Sequence, residues 1–227
     1  MRWGLGDFVW IYFAGVVAGV LLASVGYGVT GDASGAPGAL TTALALFGQF
    51  GGWVAGLIWV SRRKGRGTLR ADFGLGLRVR DAWFVVAGVG LEIGLSLLIL
   101  PIVDLVNQNQ DVVKDLEDSR GLKLAVLALT AGLVAPVCEE LLFRGLLLRS
   151  LARRFPAEWA VGLSALVFAL AHPLFDPTLG TLAVVPALFA LGAISGVVAL
   201  RSGDLSRSIY LHIGFNLLTT AAAVFHK

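Results

Sequence analysis

The chain has 227 residues, 57% of them hydrophobic and only 15% charged. Soluble domains carry about 25% charged residues, so a water-soluble globule is excluded and a polytopic membrane protein is expected. The net charge of +3 sits in short loops, not in a stripe interleaved with aromatics, and gives no reason to expect a nucleic-acid partner. A single cysteine, Cys138, excludes an intrachain disulfide and a cysteine-based metal cluster.

The N-terminus, MRWGLGDFVWIYF, has one Arg before an apolar run that continues to about Val29. A signal peptide has an apolar core of only ~7–15 residues, so the run reads as a retained first span. Apolar segments follow at about 39–60, 82–103, 124–148, 158–172, 179–200 and 206–225, the fifth being the shortest. With the first, at 8–29, they make about seven transmembrane helices. Only helices satisfy their backbone internally in lipid at this length, so the fold class is an all-α membrane bundle, one domain over 1–227. The 61–81 loop holds Arg62, Arg63, Lys64, Arg66, Arg70, Arg78 and Arg80, which places it in the cytoplasm. Arg149, Arg153 and Arg154 mark a second cytoplasmic loop, and Arg201 and Arg207 a third. The loops near 30–38 and 173–178 carry Asp32 and Asp176 and no Lys or Arg, and the 104–123 loop is rich in acids. Seven spans then alternate with the N-terminus in the cytoplasm and the C-terminus outside. Leu69 to Trp83 mixes Arg with apolar residues, as an amphipathic interfacial element or an ordinary basic loop would.

Ionisable groups inside a membrane are costly and mark functional candidates. Glu92, in VGLEIGL, has no basic neighbour in sequence and receives no role. In the 124–148 span, Glu140 and Arg144 stand i, i+4 with the acid first, so they share a face in the favourable order. Glu139 points about 100° away around the helix and has no such local partner. Pro136 precedes it by three residues and frees a backbone carbonyl. Cys138 is read as a small hydrophobe, because a thiolate is disfavoured in apolar surroundings. FALAH places Phe168 and His172 i, i+4, with Pro173 ending or bending that helix. YLHIGFN puts His212 and Asn216 on one face of the last span. A rise of 1.5 Å per residue puts His212 and Asn216 about 9–15 Å from the cytoplasmic end, Glu139 about 14 Å and His172 about 21 Å. The last value requires a strong tilt or a later helix start. A carboxylate, imidazoles and an amide converging from three helices can activate water and stabilise an oxyanion. That chemistry is hydrolysis of an amide or ester within the bilayer.

EELLFR (Glu139 to Arg144), FALAH (Phe168 to His172) and HIGFN (His212 to Asn216), in that order, resemble the motif set of the CAAX protease and bacteriocin-processing family. The likeness covers the chain from about residue 124 onward, with catalytic motifs within 124–225. DFGLGL, before the 82–103 span, is also similar to what such proteins carry. The resemblance implies an intramembrane endopeptidase acting on a peptide or membrane-protein substrate, and its type II CAAX prenyl endopeptidase branch removes a tripeptide from prenylated proteins. It implies that Glu139 activates water assisted by His172, that His212 and Asn216 hold the oxyanion, that Glu140 and Arg144 support the site, and that Phe168 packs beneath it. No cofactor is favoured. The alternative is a metalloendopeptidase with zinc on Glu139, His172 and His212, against which stands the lack of an H-E-x-x-H pair. Two other readings are open. One is a non-proteolytic scaffold, regulator or bacteriocin-immunity protein of the same family. The other is a proton-coupled transporter, which inverted repeats would support, although none is evident. The short chain points to the plasma membrane of a prokaryote.

Overall fold

The computed structural model describes residues 2–32, 37–106, 111–174 and 178–225. Helices α1 (Leu5–Thr30) and α2 (Ala39–Lys64) form an antiparallel pair, followed by the short α3 (Leu69–Phe73) and a 3-10 turn at Val79–Asp81. Then come α4 (Phe84–Val106), α5 (Asp111–Asp118), the long α6 (Gly121–Ala152), α7 (Ala157–Ala171), α8 (Leu179–Ala183), α9 (Val185–Ser202) and α10 (Ser206–Phe225). No strand occurs among the described residues, and the expected all-α membrane bundle is what the chain forms. Asp176 lies outside the described residues.

The expected count of seven spans is not what length and hydropathy give. Among the described residues five helices are long and apolar enough to cross, namely Leu5–Thr30, Ala39–Lys64, Val79–Ile99, Gly121–Ala152 and Val185–Ser202. The 158–172 segment is a helix of 15 residues, about 22 Å at 1.5 Å per residue, against a hydrocarbon core of about 30 Å. The 179–200 segment still supplies a span, but it is broken at Val184, and Pro186 occupies the first turn of α9, where its missing N–H costs nothing. Helix α10 has 20 residues but dilutes its apolar face with His212, Asn216, Thr219 and Thr220.

Two close helix crossings set the frame. Where α1 meets α2, a Cβ on Gly48 would lie 2.5 Å from the Ala18 carbonyl oxygen, so only glycine lets the backbones approach this far. At the α4–α10 crossing a Cβ on Gly88 would overlap the Leu211 carbonyl, and one on Gly214 the Val85 carbonyl. That crossing fixes α10, the helix carrying His212 and Asn216. Helix α1 is built into the core through Phe8, Ile11 and Tyr12, with the Phe8 and Phe143 rings 5.5 Å apart.

The basic segments gather at one end of the bundle, as the alternation of spans requires. Arg2 N donates to Lys64 O, and Arg153 donates to Trp3 O at 2.6 Å with its guanidinium over the Trp3 ring. Leu205 N donates to Gly74 O, Arg78 N to Ser206 Oγ, and Arg207 pairs with Asp81. The Leu69–Trp83 segment folds as the short α3, a connecting stretch and the 3-10 turn at Val79–Asp81. Asp72 anchors it, accepting from Ser61 Oγ at 2.6 Å, from Arg66 N at 2.8 and 2.9 Å, and from Trp3 Nε1 at 3.4 Å. Phe73 is fully buried against Trp3, and Gly74 takes the left-handed φ of 78° that ends α3.

Candidate active site

Helix α6 departs from α geometry twice, with π-helical turns at Thr130–Val134 and Glu140–Leu148. Such wide turns concentrate at functional sites. The first is explained by Pro136. Ala135 N donates to Thr130 O, five residues back. In that register the partner of the Ala131 carbonyl would be residue 136, which has no N–H. Asn216 of α10 fills the vacancy, its Nδ2 donating to Ala131 O at 2.8 Å. The sequence signalled a freed carbonyl at Pro136, but the wide turn decides which one, and nothing in the sequence names Asn216 as its partner.

Past Pro136 the two glutamates diverge. Glu140 is fully buried, with Oε1 3.2 Å from Arg144 Nη1, the expected i, i+4 pair. The same oxygen lies 3.2 Å from His212 Nδ1. Glu139 Oε2 lies 3.6 Å from His212 Nε2, and 15% of its side chain remains exposed. His212, itself buried, thus meets a carboxylate at each ring nitrogen. The guanidinium of Arg144 stacks on Phe168 at 4.2 Å, and the Phe168 ring also meets His172 at 4.9 Å and His212 at 5.7 Å. Two acids, two potential cations and an aromatic ring therefore hold one another in an apolar surround, where an unpaired charge would be costly.

His172 caps the C-terminus of α7, which stops before Pro173. Its Nδ1 lies 2.9 Å from Phe168 O. A carbonyl only accepts, so this bond puts the proton on Nδ1 and leaves the Nε2 lone pair free. Glu139, His172, His212 and Asn216 all line one cavity of about 280 Å³. Helix α6 runs on to Ala152, four residues beyond the expected end, which puts Glu139 about 20 Å from the end of its helix, close to the figure for His172, and leaves His212 and Asn216 with the shallower counts. A second cavity of about 480 Å³, between α1, α2 and α6, shares Glu139 and His172 and is bordered by Tyr12, Gln49 and Trp53.

Glu92, without a role in the sequence, also faces the first cavity. It accepts from Thr219 Oγ1 at 2.9 Å and from Ser96 Oγ at 3.1 Å. The Ser96 bond was open to sequence reasoning as an i, i+4 pair, but the Thr219 bond, from α10, was not. Cys138 is a buried free thiol. Among the described residues no group of three His, Cys, Asp or Glu side chains is arranged to hold a metal ion.

Residues 121–218 match the family model described as Rce1-like, type II CAAX prenyl endopeptidase. The matched stretch contains every motif residue from Glu139 to Asn216. An uncharacterized 24.3 kDa protein of Escherichia coli is 34% identical over 85 residues, covering 37% of this chain and 38% of that protein. No solved structure matches the chain.

Proposed function

We propose, from the CAAX protease family region that the chain carries over residues 121–218, that this integral membrane protein is an endopeptidase hydrolysing a peptide bond within the bilayer. The observation that supports this most is the convergence of Glu139, His172, His212 and Asn216 from three helices on one cavity. A water there gives a proton to Glu139 as its oxygen attacks the scissile carbonyl, with the free Nε2 of His172 helping to orient it. His212 and Asn216 donate to the oxyanion that forms. Its collapse breaks the C–N bond, and the proton on Glu139 passes to the leaving amine. Glu139 suits this role because it is the less buried of the two glutamates and borders both cavities. Glu140 and Arg144 keep His212 in place, and Phe168 supports both imidazoles. The substrate is a membrane-associated peptide, with a prenylated C-terminus the form that the family suggests, and the membrane is the plasma membrane of a prokaryote.

The test is cleavage by the purified full chain in bilayers, with a prenylated peptide and its unmodified counterpart measured side by side. Glu139→Gln keeps the shape and removes the base. The expected result is a fall in kcat of about 10²–10⁴-fold, the usual contribution of a general base, with an unchanged melting temperature. Equal rates for wild type and Glu139→Gln would overturn the assignment.

A further inference from the structure

At the basic end of the bundle, Arg66, Arg70, Arg78 and Arg149 line a cleft of about 430 Å³. Among the described residues Asp204 is the one carboxylate in its wall, and it is paired with Arg78. Arg149 donates to a neutral partner, Gly203 O, at 3.0 Å. Four arginines and one acid thus line the cleft. The shape of the cleft depends on Gly74, where a Cβ would overlap the Arg149 guanidinium. The positive-inside rule accounts for the presence of these arginines in cytoplasmic loops. It does not account for their convergence on one concavity from α6 and from both sides of α3.

The cleft also continues inward. A smaller space of about 180 Å³ shares Arg149 and Gly203 with it and reaches Arg144. Arg144 is 1% exposed, and beyond its ion pair with Glu140 none of its three guanidinium nitrogens makes a directed hydrogen bond. A buried donor set opening towards an arginine-lined cleft is a place for an oxyanion, because guanidinium forks match phosphate oxygens two at a time.

We propose that this cleft binds the phosphate group of an anionic phospholipid. Its position at the interfacial end of the bundle favours a lipid over a free anion. So do Leu77 and Val79, which stand 55% and 87% exposed beside the arginines, where acyl chains would cover them. Basic pockets between helices on the cytoplasmic side are suited to such headgroups. No residue proposed to touch water or substrate lies in the cleft, and its inner extension meets the peptidase reading only at the support residue Arg144.

The test places the full chain in nanodiscs of phosphatidylcholine and phosphatidylglycerol and measures the retained lipid by native mass spectrometry. Wild type should retain phosphatidylglycerol selectively, and less so as salt rises. Arg70→Gln, whose side chain makes no bond that the fold needs, should weaken retention about fivefold, the worth of one basic residue near an anionic surface. Arg70→Gln with Arg149→Gln should weaken it further, and Arg201→Gln, outside the cleft, should leave it unchanged. Equal retention by wild type and Arg70→Gln would overturn the proposal. So would inorganic phosphate stabilising the detergent-solubilised protein as strongly as the lipid at the same concentration.

Discussion

Glu140 Oε1 is 3.2 Å from both Arg144 and His212 and wholly shielded, whereas Glu139 keeps contact with the cavity. The two neighbours should therefore fail in different ways. Glu140→Gln leaves Arg144 as a buried cation without its counter-charge, and breaking such a pair costs about 3–5 kcal/mol. Thermal unfolding in detergent should show a clearly lowered midpoint for Glu140→Gln and an unchanged one for Glu139→Gln. Matching midpoints would contradict the division of roles. Part of this was legible in the sequence. The i, i+4 spacing gave the Glu140–Arg144 pair, because that contact lies within one helix. That His212 would bridge both glutamates was not legible, since residues 72 and 73 positions apart meet only through the packing of α10 on α6.

At the scale of elements, Pro136 and the wide turn before it explain why α10 docks where it does. The proline leaves Ala131 O without a helical partner, and Asn216 supplies one. The Gly88–Gly214 crossing holds the other face of α10 against α4. Gly214→Ala would force α10 away from the Val85 carbonyl and carry His212 and Asn216 with it. A misplacement of about 1 Å in a catalytic group costs about 10²-fold in rate, so the variant should insert and fold yet lose cleavage by about that factor. Full activity would show that the crossing does not position the site. Hydropathy located the long helices well, because lipid demands apolar length. Its count of seven includes Ala157–Ala171, which is short, and Ser206–Phe225, whose apolar face is diluted, and neither is among the five helices long and apolar enough to cross. It could not see α6 running past Leu148 to Ala152, because Arg149 looks like a loop residue until it lines the arginine cleft.

For the whole molecule, the charge pattern of the loops predicted which segments share an end, and the contacts among Trp3, Gly74, Arg153 and Ser206 agree. Asp72 ties that end together. Burial raises its carboxyl pKa, but hydrogen bonds from Ser61, the Arg66 backbone and Trp3 outweigh this and hold it below the usual aspartate range. The folded value thus lies under the unfolded one of about 3.9. Its stabilisation is full above the unfolded value and is lost as pH falls through the folded one. Asp72→Asn should lower stability by about 1.5–3 kcal/mol at neutral pH, as expected for hydrogen bonds to a charged group, and should flatten the acid limb of the stability curve. An acid limb identical to that of wild type would assign the effect elsewhere. The proposed chemistry rests on Glu139, and the most direct test compares newly formed protein termini in membranes of cells carrying wild type or Glu139→Gln at matched expression. A set of termini present only with wild type is expected, whereas identical sets in the two membranes would overturn a catalytic Glu139.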